Sequence, residues 1–145
     1  MSKPAKVFLD TSVLIAASDI DHDRHVESRS LLNSATPATC ACAAHSLAET
    51  YANLSVVRGG GRQRPEFAHR LVEQIASRMT VIPLAPEEYI AAIREAAELR
   101  IAGGTIYDAL LLQCARKANA ERIYTWDVKD FQRVAPDLAE RIVRP

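Results

Sequence analysis

The apolar positions follow two spacings along the chain, and their alternation predicts strands followed by helices. Residues 6–9 form a short apolar run rich in β-formers, which predicts a strand. Asp10-Thr11-Ser12 then opens a helical stretch over 13–18. Residues 25–33 read as a second helix, with Val26, Leu31 and Leu32 as its apolar face. Residues 39–43 predict a second strand, diluted by alanine. A helix is expected from Ser46 to about 57, followed by a Gly/Arg loop and a helix over 65–77 in which Phe67, Leu71, Val72 and Ile75 recur at helical spacing. Residues 79–83 predict a third strand. Pro86 suits the first turn of the next helix, whose one side carries Tyr89, Ile90, Ile93, Ala97 and Ile101, and Gly103-Gly104 is expected to end it. Thr105 is expected to cap a further helix reaching about 119. Residues 122–126 predict a fourth strand, 127–134 a turn with a short helix, and 141–143 a last edge strand. Strands alternating with helices of this length imply an α/β fold with a mostly parallel sheet covered on both faces.

Composition narrows the class. A chain of 145 residues that is 48% hydrophobic is expected to form one domain over 1–145 with a sizeable core. No apolar run approaches the ~18 residues of a membrane span, and residues 1–6 lack an apolar signal segment and cleavage site. The expectation is a soluble, cytoplasmic protein. Cys40 and Cys42 alternate in a β-rich run and should point the same way. With no matching ligand set nearby, they and Cys114 read as reduced thiols packed as small hydrophobes.

The net charge of zero does not advertise a nucleic-acid binder. Its distribution says more. Between positions 58 and 70, Arg58, Arg62, Arg64 and Arg70 face the single acid Glu66, and Gly59, Gly60 and Gly61 sit among them. This stretch reads either as a solvated loop and helix face or as an arm contacting phosphates.

The acids carry the candidate chemistry. Taken singly, each has a capping role: Asp10 and Asp127 before helices, Glu49 in a Ser46-Leu47-Ala48-Glu49 capping box, and Asp108 in the similar Thr105-Ile106-Tyr107-Asp108. In a parallel α/β sheet, however, strand exits and the helix starts that follow share one edge. Asp10, Glu49 and Asp127 are therefore predicted to meet there, whereas Asp108 follows a helix and is not placed by that rule. Crowded carboxylates repel, a divalent cation relieves the repulsion, and hard carboxylate oxygens suit Mg²⁺ or Mn²⁺.

Other patterns fail. Asp19-Ile20-Asp21-His22-Asp23 resembles the start of a calcium loop, but Arg24 and Ser30 stand where such a loop needs glycine and an acid. Gly59-Gly60-Gly61 lacks the Lys-Ser/Thr of a phosphate loop. His22, His25, His45 and His69 show no ligand spacing and read as surface or helix-end residues, His69 with some scope for a phosphate contact. Trp126 reads as core or pocket wall.

At these acids the chain resembles a known family. Val7-Phe8-Leu9-Asp10-Thr11-Ser12-Val13-Leu14-Ile15 resembles the opening of PIN-domain ribonucleases. His45-Ser46-Leu47-Ala48-Glu49-Thr50-Tyr51 resembles their second motif and Gly104-Thr105-Ile106-Tyr107-Asp108-Ala109-Leu110 their third. Thr125-Trp126-Asp127 with Phe131 is similar to their closing segment. Four motifs in order span nearly the whole chain, and its small size looks most like VapC-type toxins of bacterial toxin–antitoxin pairs.

The resemblance implies a three-layer α/β/α sandwich with Asp10, Glu49, Asp108 and Asp127 gathered at one pocket as catalytic, metal-holding residues for one or two Mg²⁺ or Mn²⁺ ions. It implies that Ser12 helps position a metal-bound water and that Thr125 supports the Asp127 loop. Asp130 stands as either a fifth, outer acid or a solvated turn residue, the turn being favoured. The implied reaction is hydrolysis of an RNA phosphodiester, leaving a 5′-phosphate and a 3′-hydroxyl. The implied partners are an RNA substrate, a small antitoxin and a second copy of the chain. Rival readings are a DNA or flap-type PIN nuclease, disfavoured by the lack of extra helical insertions, and a catalytically silent PIN-like protein-binding scaffold, disfavoured by the presence of all four acids. A receiver-type phosphoryl-transfer protein would need paired acids on the first strand, where Thr11 follows Asp10.

Overall fold

A computed structural model describes residues 6–56 and 64–145. Five short strands, β1 (Val7–Leu9), β2 (Cys40–Ala43), β3 (Thr80–Ile82), β4 (Arg122–Tyr124) and β5 (Ile142–Val143), form one sheet in the order β3-β2-β1-β4-β5. Every pairing is parallel, with Val7 opposite both Cys40 and Arg122. The helices are α1 (Thr11–Ser18), α2 (His25–Ser34), α3 (Ala44–Ser55), α4 (Pro65–Arg78), α5 (Pro86–Glu98), α6 (Thr105–Lys117) and α7 (Val128–Val134), with a 3-10 segment, Pro136–Arg141, before β5.

The period of two in the strands divides the core into two layers. Leu9, Cys40 and Cys42 pack with Val13, Leu14 and Ala17 of α1, Leu32 of α2 and Ile75 of α4. Phe8, Ala41, Ala43 and Ile123 face the other way, onto Leu111, Leu112 and Ala115 of α6 and Phe131 and Val134 of α7. The fold is therefore the expected three-layer α/β/α sandwich. Cys40 and Cys42 point to one side as expected, Cys114 lies in the opposite layer, and all three are buried and unpaired. Burial pushes the thiols of Cys40 and Cys42 up to about 12 and that of Cys114 to about 11, so all three stay protonated at neutral pH.

Helix ends differ from the sequence expectation. The third helix starts at Ala44, two residues before Ser46, so Ser46 and Glu49 form no capping box and Ser46 instead turns inward, fully buried. The sixth starts at Thr105 with Gly104 as its cap and no side-chain capping bond, so Thr105–Asp108 is not a box either. Gly103-Gly104 does not end α5. That helix stops at Glu98, with Arg100 in the left-handed region at φ 59°. Arg100 N–H donates to Ala97 O at 3.1 Å and Ile101 N–H to Ala96 O at 2.8 Å, the paired bonds of a Schellman ending. Asn119 (φ 55°) ends α6 identically, through Asn119 N–H to Arg116 O and Ala120 N–H to Ala115 O.

The apolar stripe of α5 is also not where it was expected. The buried residues of that helix are Ala92 and Ala96, whereas Tyr89, Ile90 and Ile93 stay exposed. Small alanines let α5 lie close against its neighbours, and the larger side chains face out. Val26 of α2 and Phe67 of α4 are likewise exposed although their helices bury Leu32 and Ile75. Among the described residues no helix is long and apolar enough to cross a membrane.

Arg100 carries a Cβ in a conformation that disfavours it by about 1–2 kcal/mol, whereas glycine tolerates it. Arg100→Gly is expected to raise Tm by a few degrees and Asn119→Ala to lower it, both read by thermal unfolding.

Candidate active site

The strand order reverses direction at β1: the chain goes from β1 to β2 on one side and reaches β4 on the other. That point is where open parallel sheets form a crevice beyond the strand ends. Asp10 leaves β1 and the segment Thr125–Asp127 leaves the adjacent β4, so both enter the same crevice. Glu49 arrives one turn into α3, which follows β2 directly. Asp108 sits in the first turn of α6. The placement has a topological cause: α6 must deliver the chain to the start of β4, so it runs antiparallel to the strand and begins at the strands' C-terminal edge.

A hydroxyl network fixes the floor. Asp10 is 3% exposed and caps α1, its Oδ2 accepting from Ser12 N–H at 3.3 Å. The same oxygen accepts from Ser12 Oγ at 2.7 Å and from Thr125 Oγ1 at 2.8 Å. The Thr11 backbone amide adds a further hydrogen bond to the carboxylate. Thr125, wholly buried, gives its proton to Asp10 and accepts from Asp127 N–H at 3.0 Å, so one hydroxyl ties two site acids together. Ser12 Oγ in turn accepts from Trp126 N–H at 3.1 Å. Trp126 is anchored by its own Nε1–H to buried Ser28 Oγ at 2.9 Å, with the Arg24 guanidinium 4.5 Å above its ring, and, partly buried, it packs against the α1/α2 side of the core, the first of the two positions, core or pocket wall, read from sequence. On the other side, Thr11 Oγ1 lies 2.8 Å from Ser46 Oγ and 3.1 Å from Glu49 Oε1. Its one proton can serve either. Ser46 thus holds the α1–α3 contact in place of a cap, and sequence reasoning passed over Thr11 because a hydroxyl next to an acid carries no local signal.

The acids share one electrostatic field. The Asp108 carboxyl is pushed up to about 6, first by partial burial and then by the charges of Asp10, Asp127, Asp130 and Glu49. Burial also raises Asp10, against the lowering effect of its hydrogen bonds to Ser12 and Thr125. Asp130, in the first turn of α7, is exposed, stands 3.6 Å from Arg133, and still reaches Asp108 through its charge. Asp127 occupies the N-cap position of α7 but makes no side-chain capping bond, so its carboxylate is not engaged there. Among the described residues no three Asp, Glu, His or Cys side chains meet as a ready-made metal cage. The acids are instead related through their charges, which Asp108 feels from Asp10, Asp127, Asp130 and Glu49. This donor set fits Mg²⁺ or Mn²⁺, which are held through one or two carboxylates while keeping waters and accepting phosphate oxygens.

Two rings stand at the rim. His45 of α3 and Tyr107 of α6 stack with planes 7° apart and centroids 6.0 Å apart. His45 Nε2 is 3.7 Å from Glu49 Oε1. Of the other histidines, His69 pairs with Glu73 at 2.9 Å on an exposed face of α4, and His25 Nδ1 lies 2.9 Å from Ala16 O. Arg58 and Arg62 lie outside the described residues. Arg64 precedes α4, and Arg70 places its guanidinium 5.1 Å over the Phe67 ring.

The raised Asp108 sets a pH dependence. Its proton is held more tightly in the folded chain than in the unfolded one, so its favourable contribution is full at low pH and is lost as pH rises through about 6. In chelator at pH 7.5, Asp108→Asn is expected to be more stable than wild type by about 1 kcal/mol, or about 3 °C, a value held down by solvent screening at a half-buried group. The gap should close by pH 4.5, as thermal unfolding at both values will read.

A family model described as the PIN domain matches residues 7–136. No curated protein matches the sequence. Among solved structures the chain is similar to VapC20 of Mycobacterium tuberculosis, described as a sarcin-ricin loop cleaving toxin, with TM-score 0.71 and 21% identity over 97% of this chain and 100% of that one. It is similar to VapBC2 of Rickettsia felis, solved bound to a DNA fragment from its promoter, with TM-score 0.64 and 20% identity over 95% and 97% of the two chains. The FitAB assembly bound to a DNA fragment gives TM-score 0.66 at 16% identity, over 96% of this chain and 94% of that one. These likenesses carry the fold, and the family model spans most of the sequence: this chain belongs to the PIN-domain family.

Proposed function

We propose that this protein is a metal-dependent endoribonuclease, the toxin of a toxin–antitoxin pair. The observation that carries the reading is the convergence of acidic charge at the switch point of the sheet, where Asp108, pushed up to about 6 first by partial burial, is raised further by the charges of Asp10, Asp127, Asp130 and Glu49. Four acids whose charges act on Asp108, with no lysine or arginine ion-paired to Asp10, Glu49 or Asp108 among the described residues, make a site suited to cations. Asp10, Glu49, Asp108 and Asp127 would hold one or two Mg²⁺ or Mn²⁺ ions. Bound there, such ions make an attacking water acidic and neutralise charge on the cleaved phosphate.

The chain's own residues supply position. Ser12 and Thr125 hold the Asp10 carboxylate by Oδ2 and fix its position. Thr125 also sets the backbone from which Asp127 projects. The α1–α3 bond from Thr11 aligns Glu49. Arg58, Arg62, Arg64 and Arg70 form a stretch of positive charge in the sequence that suits a phosphate backbone. RNA as the substrate is supported by the description of VapC20 as a toxin that cleaves the sarcin-ricin loop. An antitoxin partner is supported by the two-component neighbours, and the exposed Phe67, Tyr89, Ile90 and Ile93 provide apolar surface for an antitoxin or a second copy. Cytoplasmic placement follows from this reading.

Purified protein is expected to cut structured RNA with Mg²⁺ or Mn²⁺, to stop with chelator, and to leave a matched DNA oligonucleotide intact. Asp10→Asn should abolish cleavage, and Thr125→Val should lower it by about 10–100-fold and also lower the metal-free Tm by a few degrees, because it removes a donor from the buried Asp10 carboxylate. If Asp10→Asn cuts RNA as fast as wild type, the assignment of the acids is wrong.

A further inference from the structure

We infer that the stacked His45–Tyr107 pair is a platform for one unpaired nucleobase next to the phosphate that is cut. The inference rests on the nuclease reading and adds how the strand is seated. Tyr107 is adjacent in sequence to Asp108, and His45 lies one helical turn from Glu49 on α3 and 3.7 Å from its carboxylate. The two rings therefore bridge the helices that supply two of the site acids. They are nearly parallel, 7° apart, with centroids 6.0 Å apart. Rings in contact at about 3.5 Å spacing are then offset by about 5 Å, so each leaves much of a face uncovered. Tyr107 is 53% exposed and His45 is also exposed, an unusual investment of two flat rings on a rim of carboxylates that repels phosphate.

A base suits this place better than a phosphate or a sugar. A base has a π-face that stacks on aromatic rings and carries no charge for the acids to repel. Beyond His45 lies an apolar cavity of about 110 Å³ whose lining includes Ala44, Leu84, Tyr89, Leu110, Leu111 and Cys114. Leu110, Leu111 and Cys114 continue along α6 at helical spacing from Tyr107. His45 belongs both to the ring pair and to the lining of this hollow, so the two adjoin. With a base seated there, the adjoining phosphate is carried over the acids, and an orientation in which the base pairs in a duplex is excluded. The platform favours single-stranded or looped RNA.

The test uses an RNA hexamer carrying 2-aminopurine, titrated with protein in chelator so that nothing is cut. Stacking should quench the fluorophore on binding. Tyr107→Leu, which keeps bulk and loses the flat ring, and His45→Ala should each weaken binding by about 5–50-fold and remove most of the quench. Tyr107→Phe should retain both. With metal restored, Tyr107→Leu should raise KM far more than it lowers kcat on a looped RNA. Wild-type binding without quench, or Tyr107→Leu and His45→Ala binding and quenching as wild type does, overturns the platform. A protein that binds and quenches through these rings yet never cuts RNA leaves the platform standing and overturns the nuclease reading instead.

Discussion

The hydroxyl of Thr125 holds the site together. It donates to Asp10 Oδ2 and accepts from Asp127 N–H, both within 3.0 Å, and it is wholly buried. A buried carboxylate is unfavourable unless its oxygens are satisfied, and here three donors converge on one oxygen. The same bonds tie β1 to β4 at the strand ends, just past the last main-chain bond between them, Asp10 N–H to Tyr124 O at 3.0 Å. Valine at position 125 would fill the space and remove both roles. Trp126 extends the network to α2 through Ser28, so the helical layer above α1 is tied to the same floor.

Around that floor the molecule keeps an unfavourable charge distribution. Asp108 is lifted by partial burial and then by four neighbouring acids, and Asp10 is raised by burial in spite of its hydrogen bonds. Neither state helps the folded chain at neutral pH in the absence of a counterion. Elsewhere the protein pairs its charges: Arg116 holds Asp137 with bonds of 2.6 and 2.9 Å, and Lys117 holds Glu88 at 2.7 Å. The contrast separates acids that serve the fold from acids that strain it, and the strained ones lie at one edge of the sheet.

The helix ends show how far local patterns carry. Asp10 caps α1 as its sequence position suggested, because a strand exit leaves it extended with the next amides in reach. Ser46 and Thr105 looked like caps and are not. The buried face of α3 demands that the helix start two residues early, and the Thr11–Ser46 bond then takes the hydroxyl. The stripe on α5 misled for a related reason. Its large residues repeat at helical spacing, but α5 meets its neighbours through Ala92 and Ala96, and spacing alone does not say which of two faces turns inward.

The order of strands and helices, the two-sided burial of the sheet and the placement of Asp10, Glu49 and Asp127 after strand ends on one edge were all readable from the chain. Hydrophobic period and the parallel α/β rule are local or topological constraints, and no side-chain geometry is needed to apply them. Asp108 could have been placed as well, since a helix leading into a parallel strand must begin at that strand's far edge. What only the tertiary structure decided are contacts between residues distant in sequence: Thr125 with Asp10, Thr11 with Glu49, Trp126 with Ser28, and His45 with Tyr107. Each depends on the separation and rotation of packed helices to within an ångström or so, and that is set by the whole core at once rather than by any segment that contributes to it.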